Sequence, residues 1–498
     1  MSFIRMIRFS ILRRFSSTAV KPFDQMPGPK RVPLLGTLWK YFPYIGDYDF
    51  NKLTDVGFMK LKQYGSVVRE EFGSGIFIVN VFEPEDIEMV YKNEGKFPSR
   101  RSHLALQHYR EARPHLYNTG GLLPVNGSEW WRIRSNFQKS LSKIKAVRAL
   151  IPKNEEIFDE FFDKFVKPGV PNNNFLSEIS RLNIELTWML LFGERLGAFE
   201  DKNLHPDSIP SRLMSKAELV NHIIIATDST ETFWKIVKTK PYKQMEEAFD
   251  FIEKTIYPQL KKTHDRVMNK KCDVNEEKCL IEQYFENPAI DFKDVFGMVV
   301  DLILGGVDTT SYTSSFIVYH LANNERAQRR LNEEASRLCN NSPITSEILN
   351  EANYARAVLK ESLRLNPIAI GISRILDNDT ILGGFLVPRE TVVFTQNWVA
   401  CRQEKHFKNA NSFIPERWVK GSEEYTFVSP FLILPFSHGT RTCIARRLAE
   451  QNLLTFILKI GNKYNLKWLG AKLGVVTPLI CKPDSPVQVL FTTKNGQS

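Results

Sequence analysis

The chain has 498 residues, 43% hydrophobic and 25% charged, an ordinary globular balance that excludes a disordered or fibrous protein and leaves room for a large core. Basic side chains number 67 against 56 acidic, a net charge of +11, which suits nucleic acid, anionic lipid or an acidic protein without choosing among them. The six cysteines, Cys272, Cys279, Cys339, Cys401, Cys443 and Cys481, include no close pair of the kind zinc and redox sites use, so a reduced compartment with at most one special cysteine is expected.

Before Asp24 the chain carries Arg5, Arg8, Arg13 and Arg14 among serines and apolar residues, with no acid. That is the composition of a mitochondrial transit peptide, and the arginines cut its apolar runs too short to span a bilayer. The expected division is a transit peptide and linker over 1–26 and one folded domain over 27–498. Pro27, Gly28, Pro29, Pro33 and Gly36 form a stiff run that cannot be helix. Residues 67–82 read as a hairpin turning at Gly73 and Gly75. From Ser128 onward helical periodicity dominates, over 130–141, 154–166, 176–192, 245–268, 291–321 and 346–365. The stretches 167–174 and 272–287 read as surface loops. A second β-rich stretch, 381–393, is split by Gly383, Gly384 and Pro388, and a last helix covers 445–463. The longest apolar run is interrupted by Asp301, so no transmembrane helix is expected. The expected architecture is mainly α with small β-sheets in a single large domain.

The most specific segment is Phe436-Ser437-His438-Gly439-Thr440-Arg441-Thr442-Cys443-Ile444-Ala445, set just before an amphipathic helix. A cysteine there lies at a helix N-terminus, where the dipole and free N–H groups favour a thiolate, and Arg441 adds a nearby cation. Such a sulfur suits a metal. Phe436 could pack on a flat macrocycle, and Gly439 allows close backbone approach. A buried structural cysteine is the common alternative, but four fixed residue types at fixed spacing argue against it.

Earlier segments bear on the same reading. Trp130 and Arg134 stand four apart and share a helix face, as do Arg356 and Lys360; Glu361 and Arg364 stand three apart. Exposed pairs of this kind are often only solvated faces. Gly305, Gly306, Asp308 and Thr309 interrupt the apolar helix at 291–321, a local violation that invites a functional reading beside the plainer one of a helix-packing glycine pair.

The cysteine loop resembles the haem-binding signature of cytochromes P-450, Phe-x-x-Gly-x-Arg-x-Cys-x-Gly, with Ala445 in place of the last glycine. Glu361-x-x-Arg364 and Pro415-Glu416-Arg417 are similar to two further elements of that family, and the 305–310 run to its oxygen-activating stretch. The resemblance extends from about Pro27 to the C-terminus. It implies the cytochrome P-450 fold and a haem-thiolate monooxygenase with haem b on Cys443 as axial ligand and O2 as co-substrate. Thr309 and Asp308 would manage protons. Trp130, Arg134, Arg374, Phe436 and Arg441 would hold the cofactor, and His438 would be a surface or propionate-side histidine. Glu361, Arg364 and Arg417 would form a buried ion network. In mitochondrial members a basic patch docks a small acidic [2Fe-2S] ferredoxin, served by an NADPH-dependent reductase. Here that patch would be Arg356, Lys360, Arg446 and Arg447. No Gly-rich nucleotide motif and no iron–sulfur cysteine set stands in this chain, so NADPH would act only indirectly.

The substrate implied is hydrophobic, with sterol-like lipids the family's common choice. Pocket walls are expected in 103–123, 214–236, 368–372 and 475–480. Peripheral membrane contact is expected through 42–45 and 214–236, placing the protein on the matrix face of the inner membrane. Two other classes fit a haem-thiolate chain: an isomerase or dehydratase needing no reductant, and a non-enzymatic haem sensor. The intact Asp308 and Thr309 argue against both, and the basic pair further against the sensor. Nucleic-acid binding explains the charge but none of the motifs.

Overall fold

The computed structural model describes residues 19–494 except 74, 230, 270–277 and 341. The presequence and much of the expected loop at 272–287 therefore lie outside the described residues. What is described is one α-rich domain with small sheets at its edge.

A 31-residue central helix, Phe292–Ala322, organises the molecule. Asp291 caps it, accepting a hydrogen bond from the Asp294 backbone, while Asp294 reaches back to the cap. By length and apolarity it could cross a membrane, but 78% of its most apolar window is buried inside the protein, so it is the core helix of a folded domain. Phe175–Phe192 and Ile209–Ser229 pack along it, as do Asn353–Leu365 and the last helix, Arg446–Lys463. Ile209–Ser229 is called the roof helix below.

The expected hairpin is present as Val67–Phe72 paired antiparallel with Ile76–Val81. Its sheet is completed from far along the chain. Val392–Thr395 lies parallel to Ile76–Val81, and Ile372–Ile375 pairs antiparallel with Val392–Thr395. This sheet and the hairpin Thr380–Leu382/Phe385–Val387 share a second apolar core, apart from the helical one.

The expected helix over 346–365 divides into Ser346–Glu351 and Asn353–Leu365. The cause is tertiary: Glu334, from Glu325–Cys339, accepts from the Tyr354 and Ala355 backbone N–H groups at 2.7 and 2.8 Å and starts a new helix there. The stretch read as a loop at 272–287 contains a short helix, Leu280–Phe285. Pro171–Asn172, inside the other expected loop, pairs with the C-terminal strand Val489–Thr493. Glu325–Cys339 is absent from the sequence reading because it is strongly polar; it buries only a narrow stripe at Ala327, Gln328, Leu331, Ala335 and Cys339.

Candidate active site

The cysteine loop is tied into a tight return. Cys443 N–H donates to Phe436 O at 2.8 Å and the Thr442 hydroxyl to the same oxygen at 3.0 Å. Gly439 is at φ +71°, and a Cβ there would collide with the Glu94 carboxylate, so glycine is required by conformation and space together. Ala445 is at φ −99°, ψ 15°, a backbone open to any L-residue, which explains why alanine serves where the resembling signature has glycine.

Cys443 is exposed, yet burial pushes its thiol pKa up, against the lowering effects of the Ala445 N–H and of Arg134 and Arg446. The two observations agree for a sulfur that has free surface yet is closely surrounded by protein, so that water solvates its charge poorly. The expectation that Arg441 supplies the neighbouring cation is corrected. Its guanidinium turns to Val125 O and Asn126 Oδ1 and lies 4.4 Å over the Trp130 ring, leaving Arg134 and Arg446 as the cations that act on the sulfur.

Around the loop four arginines gather. Arg134 and Arg441 are buried, with Arg374 almost fully so, and Arg100, which sequence reasoning missed, joins them. Arg100 Nε donates to Leu123 O at 2.9 Å. Burial, and then the charges of Arg374 and Arg134, push its pKa down to about 10, with only Asp301 opposing. Burial also pushes Arg441 down, helped by Arg100, Arg374 and Arg134. An arginine does not release its proton in a protein, so this crowding is a demand for anions. Glu94 meets part of it, accepting from Arg374 Nε at 2.5 Å. Arg374 also donates to Ser373 O and Ser437 Oγ at 2.9 and 3.1 Å. Its contacts join its strand to the cysteine loop, so its influence on a bound anion is through charge. Arg441 Nε and Nη1 remain buried without a partner. Orphaned donors among clustered guanidiniums fit a dianionic group, as the two carboxylates of a haem would be. Phe436 is half-buried, with the Arg446 guanidinium 5.4 Å from its ring. His438 is exposed and packs edge-on to Tyr91 and Phe431.

On the central helix Gly305 is exposed in an otherwise buried run, and a Cβ added there meets nothing within 4 Å. The glycine therefore opens a shallow space one turn before Thr309, whose hydroxyl donates to Gly305 O at 2.6 Å. Asp308 is 4% exposed. Its carboxylate accepts from Asn221 Nδ2 of the roof helix at 2.8 Å, and burial pushes its pKa up to about 7. It can exchange a proton near neutrality. Asn221 carries no sequence signal of its own; only the packing of two helices brings it there.

The expected ion network is present and closed. Arg364 forks onto Glu361 at 2.7 and 2.9 Å, and Arg417 Nε reaches Glu361 Oε1 at 3.3 Å. Trp418 Nε1 and Ile414 N–H also donate to Glu361. Arg364 spends its remaining N–H groups on the carbonyls of Cys401, Ala410 and Ser412.

The expected docking residues are not all together. Lys360 and Arg446 line one surface groove of about 530 Å³ with Trp418, Lys420, Phe427 and Phe436, and Lys360 Nζ sits 4.1 Å over the Trp418 ring. Arg356 instead donates to the carbonyls of Leu349 and Asn350, and Arg447 to Ser142 O at 2.5 Å.

Residues 26–491 match the family model described as Cytochrome P450. The chain is 42% identical over 479 residues to "Cytochrome P450 302a1, mitochondrial" of Drosophila melanogaster, covering 95% of this chain and 96% of that one. It is 30% identical over 473 residues to "Probable cytochrome P450 12b2, mitochondrial" of the same organism, covering 90% and 85%. It is 27% identical over 487 residues to its "Ecdysone 20-monooxygenase", covering 94% and 88%.

Proposed function

This chain belongs to the cytochrome P450 family of haem-dependent monooxygenases, and on that premise we propose that it hydroxylates a hydrophobic, sterol-like substrate in mitochondria with electrons from a [2Fe-2S] ferredoxin. The observation that carries the reading is the cysteine loop standing beside clustered arginines of which one, Arg441, has buried N–H groups with no protein partner.

Haem b, which Cys443 would hold through its sulfur, would supply the oxygen activation by which one atom of O2 enters a C–H bond and the other leaves as water. The protein's part is to hold the group and deliver protons. Arg134, Arg441 and Arg100 would receive the carboxylates, with Trp130 as the platform under Arg441 and Arg374 holding the cysteine loop in place. Phe436 and Gly439 shape that loop. Asp308, near neutrality in its affinity for a proton, passes one inward, and the Thr309 hydroxyl orients the receiving site. Glu361, Arg364 and Arg417 fix the backbone leading to the cysteine loop.

Several features support the finer points. Two of the relatives are named as mitochondrial, and the first twenty residues are rich in arginine and free of acid. A relative named for ecdysone, a steroid, supports the substrate class. The groove with Lys360, Lys420 and Arg446 contains no acidic residue in its lining and suits an acidic donor protein, with NADPH acting through that donor's reductase. Exposed Tyr44, Ile45, Ile236 and Val237 support peripheral contact with a membrane, on the matrix face of the inner membrane; release by an alkaline wash is the expected behaviour.

The test is the difference spectrum of the reduced protein with carbon monoxide, beside Cys443→Ser. The long-wavelength Soret band of thiolate-ligated haem is expected in the wild type alone. A wild type that binds no haem, or an unchanged spectrum without Cys443, overturns the reading. Substrate oxidation is then measured with ferredoxin, reductase and NADPH, and each omission is expected to abolish it.

A further inference from the structure

Asp308 is the inner end of a longer polar path. The amide of Asn221 that donates to its carboxylate also donates to Leu304 O at 3.2 Å, so Asn221 is fastened to one turn of the central helix. Three residues earlier on the roof helix, Glu218 pairs with Lys482 of the strand Lys482–Pro483. The side chains of Lys482 and Glu218 are 31% and 44% exposed, so this pair meets solvent. One turn after Asp308, Tyr312 is 4% exposed, and its phenol lies within hydrogen-bonding reach of Glu218.

The surrounding wall is apolar. Ile303, Val307 and Phe316 on the central helix are buried, as are Val220 and Ile224 on the roof helix. A half-exposed ion pair, a buried phenol and a buried carboxyl stand in sequence beside these apolar residues, each with a polar partner that offsets the cost of its burial. The charged and titratable groups acting on Asp308 come from both neighbouring elements. Glu218 raises its proton affinity and Lys482 lowers it, while the Asn221 hydrogen bond also lowers it. Tyr312 is the titratable neighbour on its own helix.

We propose that the Glu218–Lys482 pair is the solvent port through which Asp308 regains its proton, with Asn221 holding the Asp308 carboxylate in register with that port. This rests on Asp308 being the proton donor of the proposed monooxygenase. In each cycle the Asp308 O–H bond breaks as its proton moves inward. A proton from solvent, passed by the Glu218 carboxyl and the Tyr312 hydroxyl, forms a new O–H bond on the carboxylate; no electrons are transferred. Glu218, Lys482 and Asn221 are positioning residues, since none is placed against the reacting atoms. The plainer role for the ion pair is a clasp between the roof helix and the C-terminal strands; its charges act on Asp308 in either role, but a clasp predicts no change in proton delivery during turnover.

The experiment uses the full, haem-loaded chain and follows by infrared titration the protonated-carboxyl band that Asp308→Asn removes. Its wild-type midpoint is expected near 7. Glu218→Gln is expected to move the midpoint down, and Lys482→Met and Asn221→Ala to move it up. Oxygen uptake driven by a [2Fe-2S] ferredoxin and its reductase supplies the second readout. Glu218→Gln and Tyr312→Phe are expected to enlarge its solvent isotope effect and raise the peroxide share several-fold, and Glu218→Asp to restore both toward wild type. An isotope effect and peroxide share unchanged in Glu218→Gln and Tyr312→Phe, whatever the midpoints do, reduce the pair to a clasp and overturn the proposal. Failure of the monooxygenase reading itself would show separately, as a missing carbon-monoxide band in the wild type.

Discussion

The buried clusters of charge around Glu361 and around Arg441 differ in whether their partners are complete. Around Glu361 the two arginines, an indole, a backbone N–H and four carbonyls account for the buried polar atoms, and none of the three charged side chains is left with an orphan. Around Arg441 four guanidiniums gather with Glu94 beside Arg374 and Arg441 and Asp301 acting on Arg100, and two nitrogens of Arg441 have no partner. Burying a charge costs several kcal/mol unless it is paired. A closed cluster is therefore part of the scaffold, whereas an open one is a place for something the chain does not itself contain.

The sharpest way to break this contrast is Glu361→Ala, which leaves Arg364 and Arg417 buried and uncompensated. A loss of about 3–5 kcal/mol is expected, read as a collapse of the melting transition; a variant that melts with the wild type removes the distinction. Asp308 tests the same rule with a single charge. The folded protein keeps its proton up to about 7, whereas an unfolded carboxyl loses it near pH 4. Folding is therefore penalised increasingly between those values, and the penalty stays constant above them. Asp308→Asn is expected to be more stable than the wild type by roughly 2–4 kcal/mol at pH 8, with the gain vanishing toward pH 4. Denaturant titrations at the two pH values check it, and a gain that persists in acid assigns the effect to something other than ionisation.

For the open cluster the expectation is reversed. Arg441→Met removes a crowded cation, so the haem-free chain should melt no lower than the wild type. Its haem should pass to a scavenging apoprotein about 10–100-fold more readily. A variant that loses stability without haem but retains haem normally would make the cluster structural after all. The smallest effects separate the surface cations. Lys360→Glu is expected to raise the ferredoxin concentration for half-maximal rate about tenfold. Arg356→Glu should change it by less than about twofold, as for a peripheral charge, because its guanidinium is spent on helix-end carbonyls.

The parts that could be read early are those in which chemistry and spacing lie within a few consecutive residues. The cysteine loop needs Phe436, Gly439, Arg441 and Cys443 in one turn of chain, and Glu361 and Arg364 must be three apart to share a fork. The hairpin at Val67–Phe72 and Ile76–Val81 is local for the same reason. Boundaries set by a distant side chain were not legible: the break at Ala352 depends on Glu334, and the sheet's other two strands come from Val392–Thr395 and Ile372–Ile375.

By itself, then, the sequence determined the fold class, the cysteine loop, the Glu361–Arg364 pair and the polar interruption at Gly305 to Thr309, because helix periodicity and loop geometry turn short spacings directly into shared faces. Tertiary structure alone decided which charges meet. It brought Arg100 and Glu94 to the arginine cluster, turned Arg441 away from the sulfur, drew Arg356 out of the groove that keeps Lys360, and set Asn221 and Glu218 over Asp308. A charged side chain reaches several ångströms in many directions, and its partner is chosen by whichever elements the apolar core packs beside it. That choice lies in the summed packing of the chain and leaves no mark on the residues next to it in sequence.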